Sequence, residues 1–374
     1  MQTLVALLTA AATALVPTLV AAQDRDSTSA DARPPAASAS QSRRIAILPY
    51  LGAAPETGVQ YGGTVFRVAE PADSVTRPST AQLFAAYTAK GQARAFAEID
   101  RWTTGNVWRV NAHLEWQRFP LPFYGVGDDT PESAEEIYTP RGVIAFATLQ
   151  RRLSGPFYVM GGYRYQDMRV VQTEENGALR EGAITGARGG HVSQIQGGLL
   201  RDTRDNVFAS EHGSFVQATG SVAADAFGSQ FDFARLTVDA RRYLSLGHRR
   251  VVALQGVIET TGGDAPFDQI SLVGNSGYMR GYTRGRFRDR HLAALQAEYR
   301  APLVGRLGWA AFAGGGRVAP HASGLVSGDA RFLPSYGLGA RWLLFARSRS
   351  TIRVDFAKGA DGQSGLYVAL NEAF

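Results

Sequence analysis

Residues 108–117 read WRVNAHLEWQ, and this stretch decides the fold. Its apolar and polar side chains alternate strictly. One face carries Trp108, Val110, Ala112, Leu114 and Trp116, and the other carries Arg109, Asn111, His113, Glu115 and Gln117. Because successive side chains of a β-strand point to opposite faces, this pattern predicts a strand with one apolar and one charged face. The same alternation recurs in 293–300 and 351–356.

Working outward from this stretch, we identify sixteen candidate strands. By residue number they are 45–52, 57–69, 80–89, 92–102, 106–118, 141–152, 157–166, 191–202, 213–224, 230–243, 250–260, 290–301, 307–317, 333–345, 350–358 and 365–373. Most approach or exceed the roughly 9–11 residues of a tilted membrane strand, whereas soluble strands average about 5–6. We therefore predict an all-β fold, a 16-stranded antiparallel transmembrane β-barrel. A soluble β-sandwich also alternates and is the alternative at this point.

Composition narrows the class of protein further. After residue 23, no stretch free of Asp, Glu, Lys and Arg approaches the roughly 20 apolar residues of a membrane-spanning helix. The absence of cysteine excludes disulfides and thiolate metal sites. The net charge of +6 is spread without a basic run, so we expect no nucleic-acid partner. Because G-x-S-x-G, H-E-x-x-H and a phosphate loop are missing, we expect no enzymatic activity, cofactor or metal.

The first 43 residues differ from the rest of the chain. Residues 1–22 carry no charge and end in small residues before Gln23, which predicts a secretory signal peptide. Residues 23–43 are rich in Ser, Ala, Pro, Asp and Arg without periodicity, which is typical of a flexible periplasmic leader. We assign residues 44–374 to the outer-membrane β-barrel.

The connections between the predicted strands are sorted by length. The long ones, 119–140, 167–190, 261–289 and 318–332, all follow odd-numbered strands. Outer-membrane barrels have long loops outside the cell and short turns on the periplasmic side. The sorting therefore favours a membrane barrel over a sandwich.

The longest connection contains Met279-Arg280-Gly281-Tyr282, and the strand after it ends in Glu298-Tyr299-Arg300-Ala301-Pro302. This combination resembles the BamA/TamA superfamily of outer-membrane proteins (bacterial surface antigens). The resemblance implies that the extracellular loop folds into the barrel lumen. It covers about 45–374 in pieces, and other family-like stretches are 55–58, 123–128, 202–206, 337–341 and 353–355. POTRA domains, which many family members carry before the barrel, are missing here, so we expect a stand-alone barrel.

Within the motif, the Arg280 guanidinium suits a carboxylate on the inner wall, because it presents a planar fork of five donors. Gly281 would permit close backbone approach, and Tyr282 would anchor the loop. The resemblance places the acidic partner at a position that Gly314 occupies here. By their strand phase, Glu298 and Asp355 face inward and are the candidate partners. The alternative is that Arg280 is one solvated arginine of a flexible loop that also holds Arg284, Arg286 and Arg288.

Two further features concern the end of the chain and the first long loop. Phe374 follows Leu366, Val368 and Leu370 in phase, although Glu372 breaks the phase. A terminal aromatic after an amphipathic strand resembles the assembly signal of bacterial outer-membrane barrels. The first long loop is rich in acidic residues, which are either solvated or attract divalent cations near lipopolysaccharide: Asp128, Asp129, Glu132, Glu135 and Glu136.

The sequence and the resemblance together predict a protein of the Gram-negative outer membrane. The leading hypothesis is that it assists protein or lipid assembly or translocation, using a weak seam between the first and last strands. The alternatives are a passive or plugged transport pore and a surface structural or interaction protein. Expected partners are outer-membrane lipids, lipopolysaccharide and the barrel assembly machinery that inserts the chain. We expect a monomer, and the sequence does not name a client.

Overall fold

A computed structural model describes residues 42–54 and 57–374. The predicted signal peptide, 1–22, lies outside the described residues, as does the leader up to residue 41. The described chain contains sixteen long strands. They are β1 Ser42–Ala54, β2 Gly58–Glu70, β3 Ser79–Thr88, β4 Ala93–Trp102, β5 Trp108–Arg118, β6 Glu136–Ser154, β7 Phe157–Gln172, β8 Gly189–Asp202, β9 Gly213–Ala223, β10 Phe233–Ser245, β11 Val251–Gly263, β12 His291–Val304, β13 Leu307–Ala319, β14 Leu333–Phe345, β15 Ser350–Lys358 and β16 Ser364–Leu370.

Each strand pairs with the next one along the chain. Fifteen antiparallel ladders connect β1 to β16 in sequence order. The all-β, sixteen-stranded antiparallel architecture is thereby confirmed, and every predicted strand overlaps one observed strand. Within the described residues, no ladder joins β1 to β16. We call this junction the seam.

The two faces of the sheet differ as the alternation predicts. On the outer face, Leu114 is 57% exposed and Leu295 is 71% exposed. Glu115 and Glu298, which face inward on the same two strands, are buried. An apolar outer face around a charged interior is the arrangement of a membrane barrel and the reverse of a soluble one.

Many strand ends differ from the prediction by a few residues, and two of these differences have a structural reason. The β6–β7 hairpin is longer than predicted, because its first residues, 136–138, pair with a short strand at Leu121–Phe123. The last strand is shorter, ending at Leu370 instead of residue 373, because the chain then turns into the barrel. There the backbone N–H of Glu372 donates to the carbonyl of Phe208, across the lumen floor.

The four long connections, 119–135, 173–188, 264–290 and 320–332, lie after β5, β7, β11 and β13. They contact one another at one end of the barrel. The backbone N–H of Gly127 donates to Arg288, and that of Phe267 donates to Thr185. Two short helices, Ala178–Glu181 and Gly324–Ser327, lie in these connections. Within the part of the chain that the structure describes, no helix has the length and apolar character to cross a membrane.

Candidate functional site

The connection 264–290, which we call the motif loop, folds back between the strands. Its residues Val273, Met279, Tyr282 and Phe287 are almost completely buried. They form one hydrophobic cluster with wall residues of β11 to β14, namely Val257, Leu292, Ala294, Val318 and Leu333. Because apolar surface is removed from water on both sides of this contact, the packing stabilises the inward position of the loop.

Arg280 lies at the centre of the contact and is completely buried. Its Nη1 is 2.6 Å from Oδ2 of Asp355, and its Nη2 is 2.6 Å from Oε2 of Glu298. The guanidinium carbon also lies 3.4 Å from the ring centroid of Phe312. The solvated-arginine alternative is therefore wrong for Arg280. The structure brings the motif arginine together with both acidic residues that the strand phase placed inward.

The ion pairs extend beyond these three residues. Arg341 bonds both Asp355 (2.5 Å) and Glu298 (3.2 Å), and Arg300 bonds Glu298 at 2.7 Å. Four arginines and three carboxylates share this network, which we call the lock cluster: Arg280, Arg300, Arg341, Arg353, Glu298, Asp355 and Glu372. The formal charge of these seven side chains is +1, so the cost of burying them is offset by mutual pairing rather than by water.

The two residues after Arg280 fix the loop backbone. Gly281 has φ +104°, and a Cβ there would lie 2.5 Å from the main-chain carbonyl carbon of Lys358. Only glycine fits such a backbone at this distance. The Tyr282 hydroxyl donates to the carbonyl of Pro334 at 2.5 Å and accepts from the N–H of Ala360 at 2.9 Å. Burial raises the pKa of Tyr282, so its hydroxyl remains a donor.

Gly314 stands where the resemblance places an acidic partner. A Cβ at Gly314 would lie 2.3 Å from the carbonyl oxygen of Leu295, so even a small side chain does not fit without a shift. The Phe312 ring, two residues earlier on the same inward face, contacts Arg280 instead. The carboxylates come instead from β12, which pairs with β13, and from β15, two strands further on. This explains the departure from the family pattern.

Phe374 lies inside the barrel and is 6% exposed. It packs with Tyr243, Val251 and Ala253, and its main-chain oxygen O accepts from Nη2 of Arg300 at 3.0 Å. The terminal residue thus contacts the lock cluster. The assembly-signal role of Phe374 stays a prediction.

The acidic residues of the first long loop mostly bond to protein groups. Asp128 accepts from the backbone N–H of Arg331 at 2.6 Å, and Glu135 accepts from the Tyr124 hydroxyl at 2.7 Å. Within the described residues, no group of three or more His, Cys, Asp or Glu side chains could hold a metal ion.

With the geometry established, comparison with known proteins identifies the family. A model described as the Omp85 superfamily domain matches residues 79–374. The chain belongs to the Omp85 superfamily. The predicted relationship to BamA/TamA-type barrels and the predicted outer-membrane location are thereby confirmed. The short-turn end of this Omp85 barrel therefore faces the periplasm, and the motif loop enters from the extracellular end.

Solved structures agree at the level of fold. BamA from Haemophilus ducreyi lacking POTRA domains 1-3 is similar with a TM-score of 0.54 and 13% identity, over 89% of this chain and 70% of that chain. OccK10 (OpdN) of Pseudomonas aeruginosa is 12% identical over 88% of this chain and 97% of that chain, with a TM-score of 0.35, which carries no structural argument. The comparison with curated sequences gave no significant match.

Sequence reasoning missed three members of the site in this Omp85 barrel. Glu372 bonds Arg341 at 2.7 Å and lies 3.5 Å from Arg300. Its sequence signal was the break in the apolar phase of the last strand. Arg341 and Arg353 had a weaker signal, since both fall on the inward phase of strands that belong to the lock.

Proposed function

We propose that this Omp85 barrel assists the assembly or translocation of proteins or lipids at the outer membrane by opening at the seam. One observation carries the proposal. Fifteen ladders hold the other junctions, whereas none joins β1 to β16 within the described residues. The last strand has 7 residues and the first has 13. Unpaired strand edges expose main-chain donors and acceptors that can pair with another chain.

The motif loop is coupled to this seam. The backbone N–H of Gly281 donates to the Tyr367 hydroxyl at 2.8 Å, and Tyr367 also donates to the carbonyl of Tyr282 at 3.2 Å. Because Tyr367 lies on β16, the position of the last strand depends on the docked loop. The same docked loop occupies the lumen, which supports a closed resting state over a passive open pore.

We further propose that the protein is a non-enzymatic monomer that contacts lipopolysaccharide and that the barrel assembly machinery inserts it. Large, stable open currents from the purified protein in single-channel recordings would favour the pore instead.

The test of the proposed function locks the seam covalently. The chain has no cysteine, so introduced pairs are unique. Leu48→Cys with Ala369→Cys places thiols on β1 and β16, both lining one cavity. Val68→Cys with Thr80→Cys, register partners on β2 and β3, is the matched control. Both pairs are bridged with a reducible bifunctional thiol reagent in cells that lack the wild-type protein.

Cells that lack the protein should have defects in outer-membrane protein and lipid composition. We expect the variant with the bridged seam not to correct these defects until the bridge is reduced. The bridged control should correct them throughout. Full correction by the bridged seam would refute opening at this junction.

A further inference from the structure

The periplasmic half of the lumen contains a cavity of about 890 Å³. Ser276 of the motif loop forms part of its ceiling, and besides two tyrosines its lining includes six Phe and Trp rings: Phe66, Phe84, Phe96, Trp102, Phe208 and Phe215. Phe84 and Phe96 stack with centroids 5.1 Å apart. The interior of a membrane barrel is ordinarily polar. The lining also includes polar and charged residues such as Gln82, Glu98 and Arg204, so a compartment of this size, within the roughly 300–1,000 Å³ of small-molecule sites, points to an amphipathic ligand with an apolar part.

The cavity reaches the seam. On β1 it is bordered by the consecutive residues 48–50, and at β16 by the consecutive residues 366–371. Consecutive side chains of a strand point to opposite faces. On β16 the lining includes Leu366, whose outward-facing side chain is 44% exposed, and Tyr367, which bonds to the motif loop inside the lumen, so the cavity extends around the edge of this strand. Since the edges of β1 and β16 form the seam, the aromatic compartment is continuous with the lipid-facing surface of the barrel.

We propose that this cavity binds an acyl chain of a membrane phospholipid that enters sideways through the seam. The bilayer outside the seam supplies apolar chains at high concentration, and a chain that fills the cavity removes its aromatic walls from contact with water, which is favourable. The chain comes from the periplasmic leaflet, because the cavity lies in the half of the lumen that contains the short turns.

Arginines at the periplasmic rim suit a phosphate head group. Arg109 and Arg241 line the cavity, and their side chains are 25% and 22% exposed. Each donates through Nε and Nη2 to a neighbouring aspartate, Asp100 or Asp239, so those aspartates leave the Nη1 groups unengaged. A guanidinium carries five N–H donors, and phosphate oxygens are its preferred acceptors. Both lipids carry a phosphate, but the choline cation of phosphatidylcholine offsets its charge, so we expect anionic phosphatidylglycerol to occupy the cavity more than zwitterionic phosphatidylcholine.

This inference deepens the proposed function, because both depend on the seam. It has its own readout, since Trp102 lies on the cavity wall and is 7% exposed. Bromine atoms on acyl chains quench tryptophan fluorescence on contact. The chain has five tryptophans, so the other four, Trp108, Trp116, Trp309 and Trp342, are replaced by Phe to leave Trp102 alone.

Two single-tryptophan proteins calibrate the signal in proteoliposomes of acyl-brominated phosphatidylglycerol. One retains only Trp116, which is 41% exposed on the outer face. The other carries Tyr243→Trp as its only tryptophan, at an inward position near the periplasmic end that does not line the cavity. Quenching should remove a fraction of the Trp102 emission that is at least half as large as the fraction removed from Trp116. The inward control should lose little emission. In phosphatidylcholine the Trp102 loss should fall about twofold, and Arg109→Met with Arg241→Met should remove this difference.

The Leu48→Cys and Ala369→Cys bridge supplies the deciding variant. Bridging should bring Trp102 quenching down to the level of the inward control. The proposal is overturned if Trp102 with an open seam is quenched no more than that control, or if bridging leaves its quenching unchanged. If Trp102 is not quenched but the bridged seam still leaves the outer-membrane composition defective, only the proposal for the cavity is refuted. If Trp102 is quenched but the bridged seam corrects the outer-membrane composition, only the proposed function is refuted.

A second measurement uses the wild-type chain in case the tryptophan variants do not fold, as judged by heat-modifiability on gels. Phosphatidylglycerol with a photoactivatable diazirine on the acyl chain is cross-linked and mapped by mass spectrometry. Cross-links at Phe208 or Phe215 support the proposal. Cross-links confined to outward-facing residues such as Leu114 and Leu295 overturn it.

Discussion

Replacing Arg280 by Met should release the motif loop from the lumen. Methionine preserves much of the length and apolar contact of the side chain but removes the charge. It abolishes the 2.6 Å bonds to Glu298 and Asp355 and the guanidinium contact with Phe312. The carbonyl of residue 280 still accepts from the Ser335 hydroxyl, so the backbone anchor is retained.

The structure sets the size of the effect. Removing one partner of a buried ion pair ordinarily costs about 3–5 kcal/mol, because it leaves a buried charge uncompensated. Here the two carboxylates keep Arg300, Arg341 and Arg353, which places the cost at the lower end, about 3 kcal/mol. With roughly 1.4 kcal/mol per factor of ten, the undocked fraction of the loop should rise about a hundredfold.

Cleavage of the loop by subtilisin measures this fraction. When docking is fast relative to cleavage, the cleavage rate follows the population of the open form. Arg284→Met is the matched control, since Arg284 lies four residues away in the same loop and is exposed. We expect a rate increase of about a hundredfold for Arg280→Met and less than threefold for the control. A rate for Arg280→Met within threefold of wild type would refute the lock cluster as the element that holds the loop.

Three other predictions follow from the same geometry. Gly281→Ala should speed cleavage of the motif loop by subtilisin, because the alanine Cβ would lie 2.5 Å from the β15 backbone and φ at this position is +104°. Gly277→Ala is the control and should have little effect, because the nearest contact of its Cβ would be 3.3 Å. Tyr282→Phe loses two hydrogen bonds and should reduce the free energy of unfolding in urea by about 2 kcal/mol; an unchanged midpoint would contradict this. The hydrogen bond from Arg331 lowers the pKa of the Asp361 carboxyl below its ordinary 3.8. This link between extracellular loops is therefore fully present above pH 3.8 and is lost as pH falls through the lower pKa of the folded protein. Cleavage of 320–332 by pepsin, which is active in acid, should accelerate for wild type as pH falls through this value when normalised to cleavage of an unstructured peptide, and Asp361→Asn should abolish this pH dependence.

The lock and the seam together suggest how the barrel is held closed. The motif loop bonds to β15 through Asp355 and to β16 through Tyr367. The residues after β16 return to the same cluster through Glu372. Undocking of the loop therefore removes contacts from β16, for which the described residues show no ladder across the seam.

Much of the candidate site was accessible from the sequence. The phase of a strand determines which side chains face inward, so Glu298 and Asp355 could be assigned to the lumen from their neighbours alone. The Gly281 position could be anticipated because close backbone approach requires glycine. Glu372 could not be placed, because it lies after the end of β16, where the alternation no longer determines direction.

The sequence by itself determined the local and periodic properties of this protein. The period-two alternation set sixteen strands, their inward and outward faces and the sorting of the connections, since each depends only on near neighbours along the chain. Only the tertiary structure decided which of the arginines and carboxylates form the lock cluster, that Phe312 takes the place of an acidic partner, and that an aromatic cavity opens at the seam. These features bring together residues far apart in sequence, and their positions depend on how the sheet curls and where the loop packs inside it.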